Sequence, residues 1–89
     1  MITASQLRAA RALLNIDQRQ MAELSELSVP TIQRMEASDG VVRGNVDSLM
    51  KLVSALDHAG IELINPGGQS TTGGRGVRLR EHVTPKVAR

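Results

Sequence analysis

Apolar residues recur every three or four positions along residues 3–58, which is the spacing of one face of an α-helix. Side chains that can cap helices divide this pattern into four segments, and the caps are Thr3, Asp17, Ser28 and Asn45. A glutamine follows each of the first two caps three residues later, at Gln6 and Gln20, which is the capping-box signature. The pattern therefore predicts four short helices, with Pro30 in the first turn of the third.

The same periodicity predicts which side chains form the core. Helical spacing places these residues on the inward faces of the four segments: Leu7, Ala10 and Leu14; Met21 and Leu24; Ile32 and Met35; Leu49, Leu52, Val53 and Leu56. Ala22 is small enough for the second and third helices to approach closely, and Leu27 is placed to fill the turn between them. Glu36 is expected to form an ion pair with either Arg11 or Arg34.

The pattern changes after Gly60. Residues 61–64 and 76–80 alternate in the manner of strands, whereas residues 65–74 are rich in glycine, as linkers are. We predict a mainly α fold, with a four-helix domain in residues 1–60, a β-hairpin in residues 61–80 and a flexible basic tail in residues 81–89.

A hairpin alone is only marginally stable in water, so we expect its strands to pair with each other and with those of a second subunit. Such pairing would cover apolar side chains that the helices leave exposed, and it would protect the strand edges from aggregation. The predicted dimerisation residues are Ile61, Leu63, Ile64, Val77 and Leu79. Arg78 and Arg80 alternate with them and are expected to face solvent or the DNA backbone.

The composition argues against several classes of function. Cysteine is absent, and His58 and His82 lack the spacing of metal ligands, so we expect no metal and no cofactor. The serine, histidine and aspartate residues form no triad pattern, and the glycine-rich segment lacks a phosphate-binding Gly-Lys-Ser/Thr sequence, so we expect no enzyme activity. No apolar run reaches membrane length and no signal-like N-terminus is present, which predicts a cytoplasmic protein.

Two further features bear on a nucleic-acid partner. The chain contains no Phe, Trp or Tyr, so it has no ring on which unpaired bases could stack, and any nucleic-acid partner should be a duplex. Residues 1–74 carry six basic and eight acidic side chains, whereas residues 75–89 carry five basic and one acidic. This basic C-terminus favours a polyanionic partner only weakly, since a basic tail can also serve solubility.

The second and third predicted helices are separated by a turn of three or four residues, which is a helix-turn-helix arrangement. Ile32 and Met35 are expected to fix the third helix to the body of the domain. The opposite side would then expose Val29, Pro30, Thr31, Gln33 and Arg34. A helix that is held by one face and exposes polar side chains on the other suits insertion into a major groove.

The run LRAARALLNIDQRQMAELSELSVPTIQRME, residues 7–36, closely resembles the Xre/Cro-type (lambda-repressor-like) helix-turn-helix family. The matching positions are Asp17-Gln18, Met21-Ala22, Leu27-Ser28, Thr31-Ile32 and Arg34-Met35-Glu36, and the resemblance covers residues 3–58. The ending GIELI…GGRGVRLR is similar to the tail of small bacterial members. The chain departs from the family at Glu26, which replaces the turn glycine, and at Asn15, which replaces a glycine after the first helix.

The resemblance implies roles for individual residues. Val29, Pro30, Thr31, Gln33 and Arg34 occupy positions that contact bases, and Gln18, Ser28 and Arg43 occupy positions that contact phosphates. Arginine can bind guanine through two hydrogen bonds, glutamine can bind adenine, and apolar side chains can meet a thymine methyl. The implied protein is a homodimeric, sequence-specific transcriptional regulator that binds double-stranded DNA.

Two alternatives remain open from the sequence. One is the antitoxin of a toxin–antitoxin pair, in which the basic tail folds onto a toxin while the helices bind an operator. The other is a protein-interaction module that kept the helix-turn-helix body and lost DNA binding. The nearly neutral body of the domain and the apolar Val29-Pro30 start of the third helix are compatible with this second alternative.

Overall fold

The computed structural model describes residues 2–67 and 73–81. In this range the elements are α1 (Ala4–Leu14), α2 (Gln18–Ser25), α3 (Val29–Glu36), α4 (Val46–His58), β1 (Ile61–Ile64) and β2 (Gly76–Leu79). The mainly α fold with a C-terminal β-hairpin is therefore confirmed. The predicted tail lies, except for Glu81, outside the described residues. No helix in the described ranges is long and apolar enough to cross a membrane.

The four predicted helix starts are confirmed by their capping hydrogen bonds. Thr3 and Gln6 form a complete capping box, and so do Asp17 and Gln20, with each side chain accepting from the other residue's backbone N–H at 2.8–3.1 Å. The other two helices begin with single caps: Ser28 Oγ accepts from the N–H of Thr31 and Asn45 Oδ1 accepts from that of Ser48. Because these contacts are local, the sequence pattern alone could locate them.

The first two helices end in left-handed residues that are not glycine. Asn15 has φ 58° and Glu26 has φ 59°. Glu26 therefore keeps the left-handed turn despite having a Cβ, at a cost on the order of 1 kcal/mol. The turn between α2 and α3 is thus the one expected for a glycine at this position.

The core lies where the four helices meet. Its largest fully buried side chains are Ile2, Leu7, Met21, Ile32, Met35, Leu52 and Leu56. One core prediction is wrong: Leu24 is half exposed. The buried residues of α2 are Met21, Ala22 and Ser25, so its inward face is centred away from Leu24.

The hairpin packs against α1 and α4. Its strands pair antiparallel, with Ile61 opposite Leu79 and Ile64 opposite Gly76. Gln6 fixes one end of the hairpin, because its buried amide nitrogen donates to the carbonyls of Ile64 at 3.0 Å and Gly76 at 2.9 Å. The hairpin therefore belongs to the same packed unit as the helices.

Candidate nucleic-acid interface

Helix α3 is fixed to the domain by one side. Ile32 and Met35 are fully buried, as predicted, whereas Pro30, Gln33 and Arg34 are exposed. The Gln33 side chain makes no hydrogen bond with any of the residues that the structure describes. Two long polar side chains are thus presented on the outward side of a helix whose inward side is held by the core.

The first turn of α3 carries a short chain of hydroxyl contacts. Ser28 Oγ lies 2.8 Å from Thr31 Oγ1, and Arg34 Nη2 donates to the same Thr31 oxygen at 3.3 Å. The guanidinium of Arg34 is therefore held against the N-terminal half of α3 through one of its five N–H donors, which leaves the others available. Three of the predicted contact residues are brought together by these bonds.

Val29 departs from the predicted exposed set. It is half-buried and packs against the core, and Thr31 is half-buried as well. The reason is helical spacing: Val29 lies three residues before the fully buried Ile32, so both point to the same side of α3. The outward face of α3 is therefore narrower than the sequence suggested, and Pro30, Gln33 and Arg34 form its exposed part.

A largely buried ion pair connects α1 to the end of α3. Arg11 Nε and Nη2 donate to the two carboxylate oxygens of Glu36 at 2.6 and 2.9 Å, and the side chain of Glu36 is only 5% exposed. The hydrogen bond to Glu36 raises the pKa of Arg11 above its ordinary value. Arg11 also donates to the carbonyl of Ile16 at 3.2 Å. The pairing of Glu36 with Arg11, one of two predicted partners, is confirmed.

Gln18 takes part in the same cluster. Its amide nitrogen donates to Glu36 Oε1 at 3.1 Å, and its side chain is half-buried at the start of α2. An amide nitrogen carries two hydrogens, so Glu36 leaves the second one available to an outside acceptor. Glu36 thus connects α1, the start of α2 and the end of α3.

Arg43 lies in the loop between α3 and α4. The backbone is fixed at Arg43 and at the residue before it, since the N–H of Val42 donates to the carbonyl of Ile2 at 2.9 Å and the N–H of Arg43 donates to Ser38 Oγ at 3.3 Å. The side chain of Arg43 is exposed and makes no ion pair or hydrogen bond with the described part of the chain. A free guanidinium on a fixed loop can approach an anion without breaking any existing contact.

The arginines of the hairpin are engaged within the chain. Arg78 Nη2 lies 2.8 Å from Glu62 Oε1, and Arg80 binds both the carboxylate and the backbone carbonyl of Asp57. Both arginine side chains remain partly exposed to solvent, but each already has a partner within the chain. Cross-strand pairing brings Arg78 opposite Glu62, and the turn after α4 brings Asp57 within reach of Arg80.

The predicted dimerisation residues do not share one exposed surface. Ile61 is fully buried, and Leu63 and Val77 pack partly against the core. Ile64 is half-buried and alternates to the other face of the hairpin. Leu79 is the most exposed of the five, at 42%. The helices therefore cover more of the hairpin than the sequence suggested.

Gln6 and Arg8 have contacts that sequence reasoning missed. Gln6 was assigned only to the capping box, and Arg8 was assigned no role, yet Arg8 Nη1 donates to the backbone carbonyl of Glu36 at the end of α3. Both contacts join residues that are far apart in sequence, so no local pattern indicates them.

Comparison with models of known protein families and with curated protein sequences found no match to this chain.

Proposed function

We propose that this protein is a cytoplasmic, sequence-specific transcriptional regulator that binds double-stranded DNA as a homodimer. The observation that carries the proposal is the arrangement of α3, which follows α2 after the three-residue turn 26–28. Ile32 and Met35 bury one side of α3, and Gln33 and Arg34 extend from the other. A helix with this arrangement can enter a major groove while the body of the domain stays outside.

The chemistry of the exposed residues supports base recognition. Arg34 has the geometry to donate two hydrogen bonds to guanine, and Gln33 can both donate to and accept from adenine. Pro30, at the start of the exposed face, is suited to an apolar contact such as a thymine methyl. The absence of aromatic residues directs the proposal to a duplex, since single strands are usually held by stacking.

Phosphate contacts are proposed on both sides of α3. Gln18 and Ser28 lie at the N-terminal ends of α2 and α3, where the helix dipole favours an anion. Arg43 adds a charged donor from the next loop. In a homodimer, two copies of this surface would read half-sites about 34 Å apart on one face of the duplex.

The test begins with selection of a preferred duplex from a randomised DNA library, followed by fluorescence anisotropy on that duplex and on a scrambled one. Arg34→Ala should weaken binding to the selected duplex by about 1–3 kcal/mol and reduce the preference over the scrambled duplex. Arg43→Ala should weaken both duplexes alike and reduce the slope of log affinity against log salt by about one.

Lys51→Ala is the matched control, because it removes one positive charge from the exposed side of α4, which carries none of the proposed DNA contacts. It should leave both affinities close to those of the original chain. Failure of the library selection to enrich any duplex, or equal losses from Arg34→Ala and Lys51→Ala, would contradict the proposal.

A second candidate function is binding to another protein, either as an antitoxin or as an interaction module without DNA binding. The exposed apolar side chains of Leu24, Val46 and Met50 on α2 and α4 favour it. The tail that an antitoxin would fold onto its toxin lies mostly outside the described residues. Salt separates the two functions: DNA binding should weaken steeply as salt rises, whereas an apolar protein contact should not.

A further inference from the structure

An apolar groove lies between the C-terminal end of α2 and helix α4. It has a volume of about 440 Å³, and its large apolar side chains are Leu24 and Met50, which are 50% and 63% exposed. Burial of such side chains is favourable, so exposed apolar groups that lie together in a concave surface indicate a binding site. The groove contains none of the residues that are proposed to contact DNA.

Helix α4 extends this apolar surface beyond the groove. Val46, Met50 and Val53 follow one another at intervals of four and three residues, so they form a row along one side of α4, here called the α4 row. Val46 is 72% exposed, and Met50 and Val53 line a second hollow of about 380 Å³. The row is about 10 Å long. A second helix with apolar residues at i, i+4 and i+7 has the same spacing, which is how amphipathic helices bind in grooves.

The charge of the groove is negative. Its charged lining residues are Glu26, Asp47 and Lys51. Lys51 lies 3.5 Å from Asp47 and compensates it, which leaves the charge of Glu26 unbalanced. The carboxylate of Glu26 makes no ion pair or hydrogen bond within the part of the chain that the structure describes. The groove therefore offers a free anionic group beside an apolar surface.

The backbone at Glu26 adds to the significance of this carboxylate. Glu26 has φ 59°, a left-handed conformation that favours glycine. Residues held in such conformations cluster at binding sites, where the strain accompanies a function. Glutamate here occupies a turn that glycine would form more easily, and what it adds is a carboxylate at the groove.

We propose that the groove and the α4 row bind a basic amphipathic helix of another protein. The apolar side of that helix packs on Leu24 and along the α4 row, and a lysine or arginine beside it binds the carboxylate of Glu26. This partner goes beyond the proposed function, because its surface is separate from the proposed DNA contacts. Its binding can be measured without DNA.

Charge identifies a different protein, rather than a second copy of this chain, as the partner. A two-fold contact through the groove would place the same surface of both copies face to face. Two surfaces of the same net charge would then meet, and such an arrangement weakens an interface. A basic helix meets the groove with the opposite charge.

The test begins with selection from a randomised display library of peptides of about 15 residues, near the length at which isolated helices begin to form in water. The enriched peptides should carry apolar residues at i, i+4 and i+7 and an excess of lysine and arginine. The most enriched peptide is then labelled, and its affinity is measured by fluorescence anisotropy in the absence of DNA. The same peptide with its basic residues replaced by glutamate should bind about tenfold more weakly or not at all.

Variants of the protein locate the site, with far-UV circular dichroism to confirm that each is folded. Glu26→Gly should weaken peptide binding about fivefold, the value of an exposed ion pair, although it relieves the left-handed backbone. Glu23→Gln is its matched control, because Glu23 is an exposed acid of α2 that does not line the groove. Met50→Lys should weaken binding about tenfold or more, whereas Leu13→Lys, at a 44% exposed leucine of α1, should leave it unchanged.

Enrichment of no peptide, or of peptides without basic residues, would overturn the inference. Equal affinities of the original chain and Glu26→Gly would overturn it as well, and so would equal losses in Glu26→Gly and Glu23→Gln. Self-association that Met50→Lys abolishes would assign the groove to a second copy instead. Peptide binding that requires deletion of residues 82–89 would assign it to the chain's own tail. A chain that binds the peptide as described but selects no duplex would support the inference and refute the proposed function alone.

Discussion

The ion pair between Arg11 and Glu36 should be one of the main contributors to the stability of this domain, and Glu36→Gln tests it. The substitution keeps the shape of the side chain and removes its charge, which leaves the guanidinium of Arg11 without its counterion. Breaking a buried pair by removal of one partner costs about 3–5 kcal/mol. Arg11 is 23% exposed and keeps some contact with water, so we expect a loss at or just below the lower end of that range, about 2–3 kcal/mol.

That loss is large for a chain of 89 residues, whose total stability should be about 4–13 kcal/mol. The assay is urea denaturation followed by the far-UV circular dichroism of the helices, because the chain has no aromatic residue to report by fluorescence. The raised pKa of Arg11 stabilises the fold at neutral pH, which lies well below the ordinary pKa of arginine. The contribution of Arg11 is lost only as the pH rises through its raised value, so it should be constant through neutral pH.

Glu62→Gln is the matched control. Glu62 pairs with Arg78 at 2.8 Å, but the two side chains are 41% and 50% exposed, and an exposed pair contributes only about 0–1 kcal/mol. Equal losses of stability in Glu36→Gln and Glu62→Gln would refute the reasoning, because burial would then make no difference to the two pairs.

Two further changes test the turn and the attachment of the hairpin. Glu26→Gly should raise the free energy of unfolding by about 0.5 kcal/mol, because the relief of left-handed strain exceeds the added freedom of the unfolded chain. A loss of stability in the same urea assay would show that Glu26 is not strained. Gln6→Ala should cost about 1–3 kcal/mol, because it removes a buried amide that bonds both strands. Gln20→Ala, which removes an exposed glutamine with only the capping role, should cost less, and equal costs would contradict the proposed attachment.

The local structure could be predicted from the sequence because its causes are local. Capping bonds join residues three apart, so Thr3 with Gln6 and Asp17 with Gln20 were recognisable without any tertiary information. The buried side of α3 followed from the spacing of Ile32 and Met35. Position in an α-helix repeats every 3.6 residues, so a few apolar residues are enough to define one face.

Tertiary packing decided the rest. The sequence left Glu36 with two candidate partners, Arg11 and Arg34. Arg11 forms the pair because α1 packs against α3. Arg34 lies two residues from Glu36 on the same helix and therefore points to a different side. Leu24 was expected to be buried, but α2 packs against the rest of the domain through the side that carries Ala22 and Ser25. Which polar groups are buried depends on elements far apart in the chain. Local periodicity therefore determined the helices and the buried side of α3, and only the packed structure decided how narrow the outward face of α3 is and how the hairpin was attached.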